Sequence, residues 1–476
     1  MPLVERDSCL HSFKRAQLWE EFWASFLHWE DRLGLFDYLD EGTPLWEYLR
    51  VPIFLKCQEA LGFFSPTPTL TLAERFFHWH TIRDLAYAIV AANPWLAPSR
   101  PVIFWAIARR VYYQGRWWDP YLDLFLGEIN DHYLYLERPE GGRRLGSVRR
   151  NSQYYTDWFA GASACTRRMI RCFADKTINW LQIIEKSFRQ VAKIHVPISE
   201  LGMSYLIARK VCLWQYRRLL SRLRPRVCII IALNPAERAL VEVCRRLGIV
   251  TAELQHGMIG PYDLTYTTPP GVIQKTFPDY LLTFGPYWRK YTPIPTPSEN
   301  SLDVGFPFLQ KIVTDGKRPI REPRILVLGQ PGCSRELGQW AIRLAQAAPP
   351  GYRVIFRPHP AETLDVNQVQ MFESYGIEVP SPQRPLYELL ASSEIQVGVF
   401  STALYEGLAF GLKTYIVPLP GYQYMRPLLE RGWARLLEDE TQPYHEDGSW
   451  PRYDLRELFL FEGTKPFLEW LNRMLV

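Results

Sequence analysis

Apolar residues follow two rhythms along this chain, and the places where one gives way to the other divide it. Through residues 1–95 they recur every three or four positions, as in Trp19, Trp23, Phe26, Leu27 and Trp29 and again over 70–92, which predicts helices. Pro52, Pro66, Pro68 and Pro94 are expected to interrupt them. The apolar run 101–107 reads as a strand, 121–130 as a helix and 132–137 as a second strand, which together make a β-α-β unit of a parallel sheet. Helical spacing then fills 179–194 and 206–223. The run 226–233 is the clearest strand of the first half, and Asn234-Pro235-Ala236-Glu237 opens a helix that closes at Gly248. Strands follow at 250–254 and 279–285.

Residues 292–323 are rich in Pro, Ser and Thr and are expected to connect two domains. A second α/β unit then begins: strand 325–328, loop Gly329-Gln330-Pro331-Gly332, helix 335–348, strands 352–356 and 395–400, a helix marked by Ala403, Leu404, Leu408 and Ala409, and a last strand from Lys413. Residues 458–475 read as a terminal helix. The predicted fold is α/β, with two Rossmann-like domains facing a cleft and a helical N-terminal extension. Residues 1–95 form the extension, 96–300 the first domain and 301–476 the second.

Polar clusters stand where three of these strands end. Gln255-His256-Gly257 follows strand 250–254, Arg357-Pro358-His359-Pro360 follows 352–356, and Ser401-Thr402 follows 395–400 at a helix start, with Glu406 one turn further in. In open α/β sheets ligands bind outside the carboxyl ends of the strands. A helix N-terminus offers unpaired N–H groups and partial positive charge, which suits phosphate. Ser401 and Thr402 add hydroxyls, Arg357 and His359 add donors, and Glu406 is placed for a ribose diol. Each residue also has a plain structural reading: Ser401 as a helix cap, His359 as a rigid turn residue. The pairing of the two clusters on neighbouring strand ends favours a nucleotide-phosphate site.

Composition narrows this modestly. The net charge of +5 makes no case for nucleic acid, and the eight cysteines form no C-x-x-C pair, so reduced thiols in a cytosol are expected. The first residues carry no apolar h-region and no run is long enough to span a membrane. His78 and His80 are two apart and would face different sides of a helix. Arg143, Arg144, Arg149 and Arg150 form a basic loop, and Arg217, Arg218, Arg222, Arg224 and Arg226 lie on or just past a helix. Such a face can hold a protein on anionic lipid, at about 1 kcal/mol per charge, and can equally be a solvated surface. The segment Arg109-Arg110 to Asp119-Pro120 is basic, aromatic and acidic at once, suited to an acceptor sugar or to solvent.

Taken together, Gln255-His256-Gly257, Arg357-Pro358-His359-Pro360 and Ser401-Thr402 with Glu406 resemble the motifs of bacterial capsule and surface-polysaccharide transferases of the GT-B fold, including those using CMP-activated Kdo or sialic acid. The stretch from Arg109 to Asp119 is similar to the start of that transferase domain, and the resemblance covers about 100–430. Glycerol-phosphate polymerases of teichoic-acid synthesis are similar but carry Trp before the His-Gly, where this chain has Gln255. The resemblance implies that His359, Ser401 and Thr402 hold the nucleotide phosphate, that Glu406 takes the ribose and that His256 faces them across the cleft.

Leaving-group charge must be stabilised in such a transfer. The chain has no Asp-x-Asp, so a metal-independent, cofactor-free route through Arg357, His359, Ser401 and Thr402 is expected. An inverting reaction also needs a general base, for which Asp119, Glu237 and Asp263 are candidates. Asp119 can instead cap the helix at Tyr121, and Glu237 can be a partner of the helix dipole. The expected partners are a nucleotide-sugar donor, a polysaccharide or glycolipid acceptor and an anionic membrane surface, at the cytoplasmic face of the plasma membrane. A CDP-polyol phosphotransferase, a nucleotide-sugar epimerase and a non-catalytic scaffold on the same architecture remain alternatives.

Overall fold

Two parallel sheets carry the molecule, one built from strands before residue 304 and one from strands after 323. The computed structural model describes residues 7–65, 90, 92–129, 132–138, 153–156, 175–315, 321–360, 362–381, 384–445, 450–451 and 453–476. The expected helix over 70–92 (save residues 90 and 92), the pair His78 and His80, and the basic loop of Arg143, Arg144, Arg149 and Arg150 lie outside the described residues.

The first sheet comprises β1 (Val102–Ile107), β2 (Tyr133–Arg138), β3 (Gln153–Tyr155), β4 (Val227–Ile230), β5 (Val250–Leu254), β6 (Tyr280–Thr283) and β7 (Ser301–Asp303). Its order is β7-β6-β5-β4-β1-β2-β3, every pairing parallel. The second comprises β8 (Arg324–Leu328), β9 (Arg353–Arg357), β10 (Ile395–Gly398), β11 (Lys413–Ile416) and β12 (Arg435–Leu436), in the order β9-β8-β10-β11-β12 and again parallel. The central strands are mostly apolar, as in Val-Cys-Ile-Ile of β4 and Ile-Leu-Val-Leu of β8, because helices cover a parallel sheet on both faces. Each order reverses once, between β1 and β4 and between β8 and β10, and crevices form outside the strand ends at such switch points. This is the two-domain GT-B arrangement with helices at its N-terminus.

Those helices are α1 (Asp7–Arg32) and α2 (Trp46–Ala60). α2 runs through Pro52 instead of breaking there, because Trp46, Leu49, Ile53, Phe54 and Cys57 are buried on both sides of the proline and packing outweighs one lost backbone bond. The two helices clasp both domains. Toward the first, Glu47 accepts the backbone N–H groups of Lys275 (2.7 Å) and Thr276 (2.7 Å). Tyr48 donates to Glu242 (2.6 Å), and Arg50 donates to the Leu264 carbonyl (2.8 Å). Toward the second, Arg426 grips Glu20 at 2.7 and 2.8 Å, Gln423 donates to the Ala16 carbonyl (2.7 Å), and Arg15 pairs with Glu336 (2.9 Å). Trp19 packs against Tyr262 and Tyr424, one from each domain.

Two more helices, α3 (Asp175–Ala192) and α4 (Ile198–Leu223), cover the first sheet with α5 (Pro235–Leu247), which closes at Gly248 in the left-handed region. The expected connection over 292–323 contains β7, which pairs with the first sheet, and a helix at Pro307–Asp315. The second sheet is flanked by α6 (Ser334–Ala347) and α7 (Thr402–Ala409). The terminal helix α8 (Lys465–Leu475) returns to the first sheet, where Phe467, Trp470 and Leu471 join a buried cluster with Phe104, Phe125 and Tyr135. Residues 301–476 therefore contribute to both domains. No helix among the described residues is long and apolar enough to cross a membrane.

Candidate active site

The second sheet presents its motifs around the β8–β10 reversal. Arg357-Pro358-His359-Pro360 leaves β9, and the Gly329 N–H donates to the Arg357 carbonyl at 2.8 Å. A Cβ on Gly329 would lie 3.0 Å from that oxygen and 3.1 Å from the His359 nitrogen, so a side chain here would push the two loops apart by a few tenths of an ångström. The Arg357 guanidinium donates to the Ser381 carbonyl (2.9 Å). Ser401 caps α7, accepting from the Ala403 N–H at 3.3 Å. Glu406 is buried one turn in, where the Tyr387 hydroxyl donates to it.

The first sheet supplies the facing groups. Gln255 is fully buried at the end of β5, donates to the Gly257 carbonyl (2.8 Å) and accepts the Phe284 N–H (2.7 Å). It therefore fixes the turn that carries His256. The next residue, Met258, donates its N–H to Thr402 Oγ1 at 2.9 Å. That bond joins the β5 turn to the first residue of α7, across the two domains. His256 meets Tyr121 edge-on, with centroids 6.4 Å apart, and Tyr121 stacks on Phe306 at 5.8 Å. His256 Nδ1 is buried and has no hydrogen-bond partner.

One cation is felt by all of them. Arg109, two residues past β1, hydrogen-bonds the Tyr121 hydroxyl. Burial, followed by the positive charge of Arg109, pushes His256 down from 6.5 to about 3. The same two causes take His359 down to about 4. Burial raises Glu406 from 4.5 to about 7, against the opposing Tyr387 hydrogen bond and Arg109 charge. Burial likewise raises Tyr121 to about 12, although Arg109 opposes it. A single side chain acting on groups from both sheets means that the two sets of strand ends converge. The histidines are neutral at pH 7, able to accept or donate without charge. Arg109 and the N-terminus of α7 together favour an anion between them.

The expected carboxylates are placed differently. Asp119 Oδ1 accepts the N–H groups of Tyr121 (3.0 Å) and Leu122 (3.1 Å), and Oδ2 accepts the Tyr135 hydroxyl (2.7 Å), with Arg110 at 3.6 Å. Asp119 is thus bound into the turn that carries Tyr121. Glu237, in the first turn of α5, accepts from Arg138 at 3.1 Å. Asp263 accepts the Thr265 N–H (2.8 Å), is raised by burial and lies within the field of Arg238 and Arg50. The structure gathers His256, His359, Ser401, Thr402 and Glu406 in one place and adds Arg109, Tyr121 and Tyr387. Arg109 had one sequence signal: it stands just past a buried strand, like the motif residues. Among the described residues no His, Cys, Asp or Glu cluster could hold a metal ion.

Glu406 gives this site a titration that stability can report. The folded chain keeps its proton up to about pH 7, whereas the unfolded chain releases it near 4.5. Between those values the folded state binds more protons, so stability falls as pH rises. Glu406→Gln keeps the acceptor for Tyr387 and removes the titration. We expect it to match the wild type at pH 3.5 and to exceed it at pH 8 by roughly 3 kcal/mol, read from chemical unfolding at both pH values. Equal stability of the two proteins at pH 8 would show that Glu406 ionises normally.

No family model matches this sequence, and neither does any curated protein. Some solved structures are similar to it at low identity and low TM-score. The UDP-GlcNAc 2-epimerase of Neisseria meningitidis bound to UDP-GlcNAc is 11% identical, with 78% of this chain and 100% of that one covered at a TM-score of 0.47. The calicheamicin glycosyltransferase CalG4 is 12% identical over 79% and 98%, at 0.46. The wall teichoic acid polymerase TagF is 11% identical over 85% and 92%, at 0.37. At these values the likeness says nothing of activity.

Proposed function

We propose that the chain is a metal-independent glycosyltransferase that moves a sugar from a nucleotide-activated donor, a CMP-sugar before others, to a growing surface polysaccharide or glycolipid. The observation that carries this reading is the Met258–Thr402 bond with Arg109 beside it, which sets neutral imidazoles, hydroxyls, a helix N-terminus and a cation around one space. Arg109, Ser401, Thr402 and the N-terminus of α7 take the phosphate and the charge that grows on it as the sugar departs. Thr402 and Ser401 already accept backbone N–H groups, so each keeps its O–H proton to donate. His359 and Arg357 flank the phosphate, and Glu406 receives the ribose hydroxyls. His256 is the proton acceptor for the attacking hydroxyl: phosphate beside Arg109 offsets the charge that depresses the imidazole, and its basicity rises on donor binding. Asp119 holds Tyr121 and Arg110 in place for this arrangement. Contact with anionic lipid belongs to Arg217 and Arg218 beside the exposed Trp214, since Arg222 is turned to the Pro94 and Ala97 carbonyls and Arg226 to those of Leu475 and Val476.

A thermal-shift titration with CMP, CDP, UDP and GDP on wild type and His359→Ala tests the reading. A nucleotide at 100 times its Kd should stabilise the wild type by about 2.7 kcal/mol and leave His359→Ala unprotected. Protection by CMP supports the acidic-sugar donor. Consumption of CDP-glycerol, or turnover of a UDP-sugar without acceptor, would move the assignment to a phosphotransferase or an epimerase. No protection by any nucleotide would end the transferase reading.

A further inference from the structure

The N-terminal clasp delivers an aromatic ring to the β8–β10 reversal. The turn at 62–65 ends α2, and Phe64 on it lies against Gly332, in the loop after β8. Its ring meets Phe400, in the loop after β10, edge-on with centroids 6.0 Å apart. Phe400 in turn stacks on Tyr424 at 5.2 Å. All three residues are half-buried. The two loops that frame the crevice are therefore bridged by a residue from outside either sheet.

This placement is built in. The Ser65 N–H donates to the Gly332 carbonyl at 2.9 Å. Arg15 of α1 donates to the Gly62 carbonyl (2.7 Å) and the Phe63 carbonyl (3.3 Å), while its other nitrogen holds Glu336 in the first turn of α6. Gly332 has φ +87°, and a Cβ there would lie 2.9 Å from that of Phe64. Gly421 has φ +90°, and a Cβ there would lie 2.4 Å from the Phe400 ring. Two left-handed glycines thus leave room for two rings at the mouth of one crevice. The phosphate-binding groups, Ser401 and Thr402, follow Phe400 directly in the chain.

We propose that Phe64, with Phe400 and Tyr424, forms the wall against which the nucleobase of the donor lies, so that the N-terminal extension supplies part of the donor site. The inference rests on the nucleotide-donor reading given above and assigns the base to these rings. Aromatic faces stack on any base, and a planar heterocycle is the part of a nucleotide that gains most from them.

The test uses the full chain and two probes: CMP, which carries a base, and inorganic pyrophosphate, which does not. Isothermal titration is run on wild type, His359→Ala, Phe64→Ala, Phe64→Leu and Phe64→Trp. Phe64→Ala and Phe64→Leu should weaken CMP about 10- to 100-fold and leave pyrophosphate unchanged, with Phe64→Trp close to wild type. Leucine keeps apolar packing against Gly332, so a near-normal Tm for that variant separates loss of stacking from loss of fold. If CMP binds wild type and fails on His359→Ala, yet Phe64→Leu binds as tightly as wild type or tighter, the assignment of the wall is overturned while the donor site stands. Equal weakening of CMP and pyrophosphate overturns it too. No binding of CMP to wild type overturns both.

Discussion

Replacing Arg109 with alanine is expected to lower kcat/KM of donor turnover by roughly 10²- to 10³-fold, the usual effect of removing one preorganised donor aimed at developing charge. The same substitution should move two proton equilibria in the resting protein. Arg109 is a positive neighbour of His256 and His359, and it disfavours their charged forms. Its removal therefore raises both imidazole pKa values from about 3 and about 4. Burial is the larger cause in each case, so both stay below 6.5. Proton NMR titration of the histidine ring signals reads the shift directly. Arg109→Lys keeps the charge and loses the planar fork that meets Tyr121, so it should restore the histidine titrations and only part of the turnover. Unchanged histidine titrations in Arg109→Ala would show that this cation does not sit between the two domains.

Arg50→Ala should be the most damaging single change to stability, at about 3–5 kcal/mol. Arg50 and Glu30 are both fully buried, with Nε to Oε1 at 2.9 Å and Nη2 to Oε2 at 2.7 Å. Arg50 also donates to the carbonyls of Leu264 and Thr267 in the first domain. Alanine would leave the Glu30 carboxylate buried beside the Trp46 N–H alone and would strand two carbonyls. Replacing both partners, as Glu30→Met with Arg50→Met, removes the stranded charge and should recover much of the loss. Chemical unfolding of the three variants provides the comparison. A loss below 1 kcal/mol for Arg50→Ala would mean that the extension does not clasp the first domain through Arg50.

The clasp changes what residues 12–65 mean for the rest of the chain. They are packed into the same buried cluster as Leu264, with Tyr262 and Tyr424 against it, and their charged groups end on loops of both domains. Glu20 receives Tyr262 at 2.9 Å and Arg426 at 2.7 Å, one from each side. A domain opening that carried the β5 turn away from α7 would strain these contacts as well as the Met258–Thr402 bond. The extension is thus coupled to the geometry of the site.

Much of this is legible in the sequence, for local reasons. Buried parallel strands are short, mostly apolar runs, so 250–254, 352–356 and 395–400 can be read from the sequence, and the polar cluster that follows each one is a strand-end cluster. Helix starts such as Asn234-Pro235 and Ser401-Thr402 carry their own capping chemistry. The alternation of strands and helices was enough to expect two parallel sheets. What adjacent residues cannot encode is which strand ends face each other. Met258 and Thr402 are 144 positions apart, and their contact depends on the strand order of both sheets and on the clasp that spans them. Arg109 looked like one charge in a basic loop because its neighbours, His256, His359 and Glu406, come from three other segments. Asp119 read either as a general base or as the cap of the helix at Tyr121; it makes the capping bonds, and the Tyr135 hydroxyl that also holds it reaches it only when β1 and β2 pair. The return of α8 to the first sheet and the seating of Phe64 at the second are likewise matters of long-range packing, which periodicity does not carry. The sequence by itself determined the strands, the helix starts and the residue types at their ends; tertiary structure alone decided which of those ends share a space, because that is set by contacts between segments far apart in the chain.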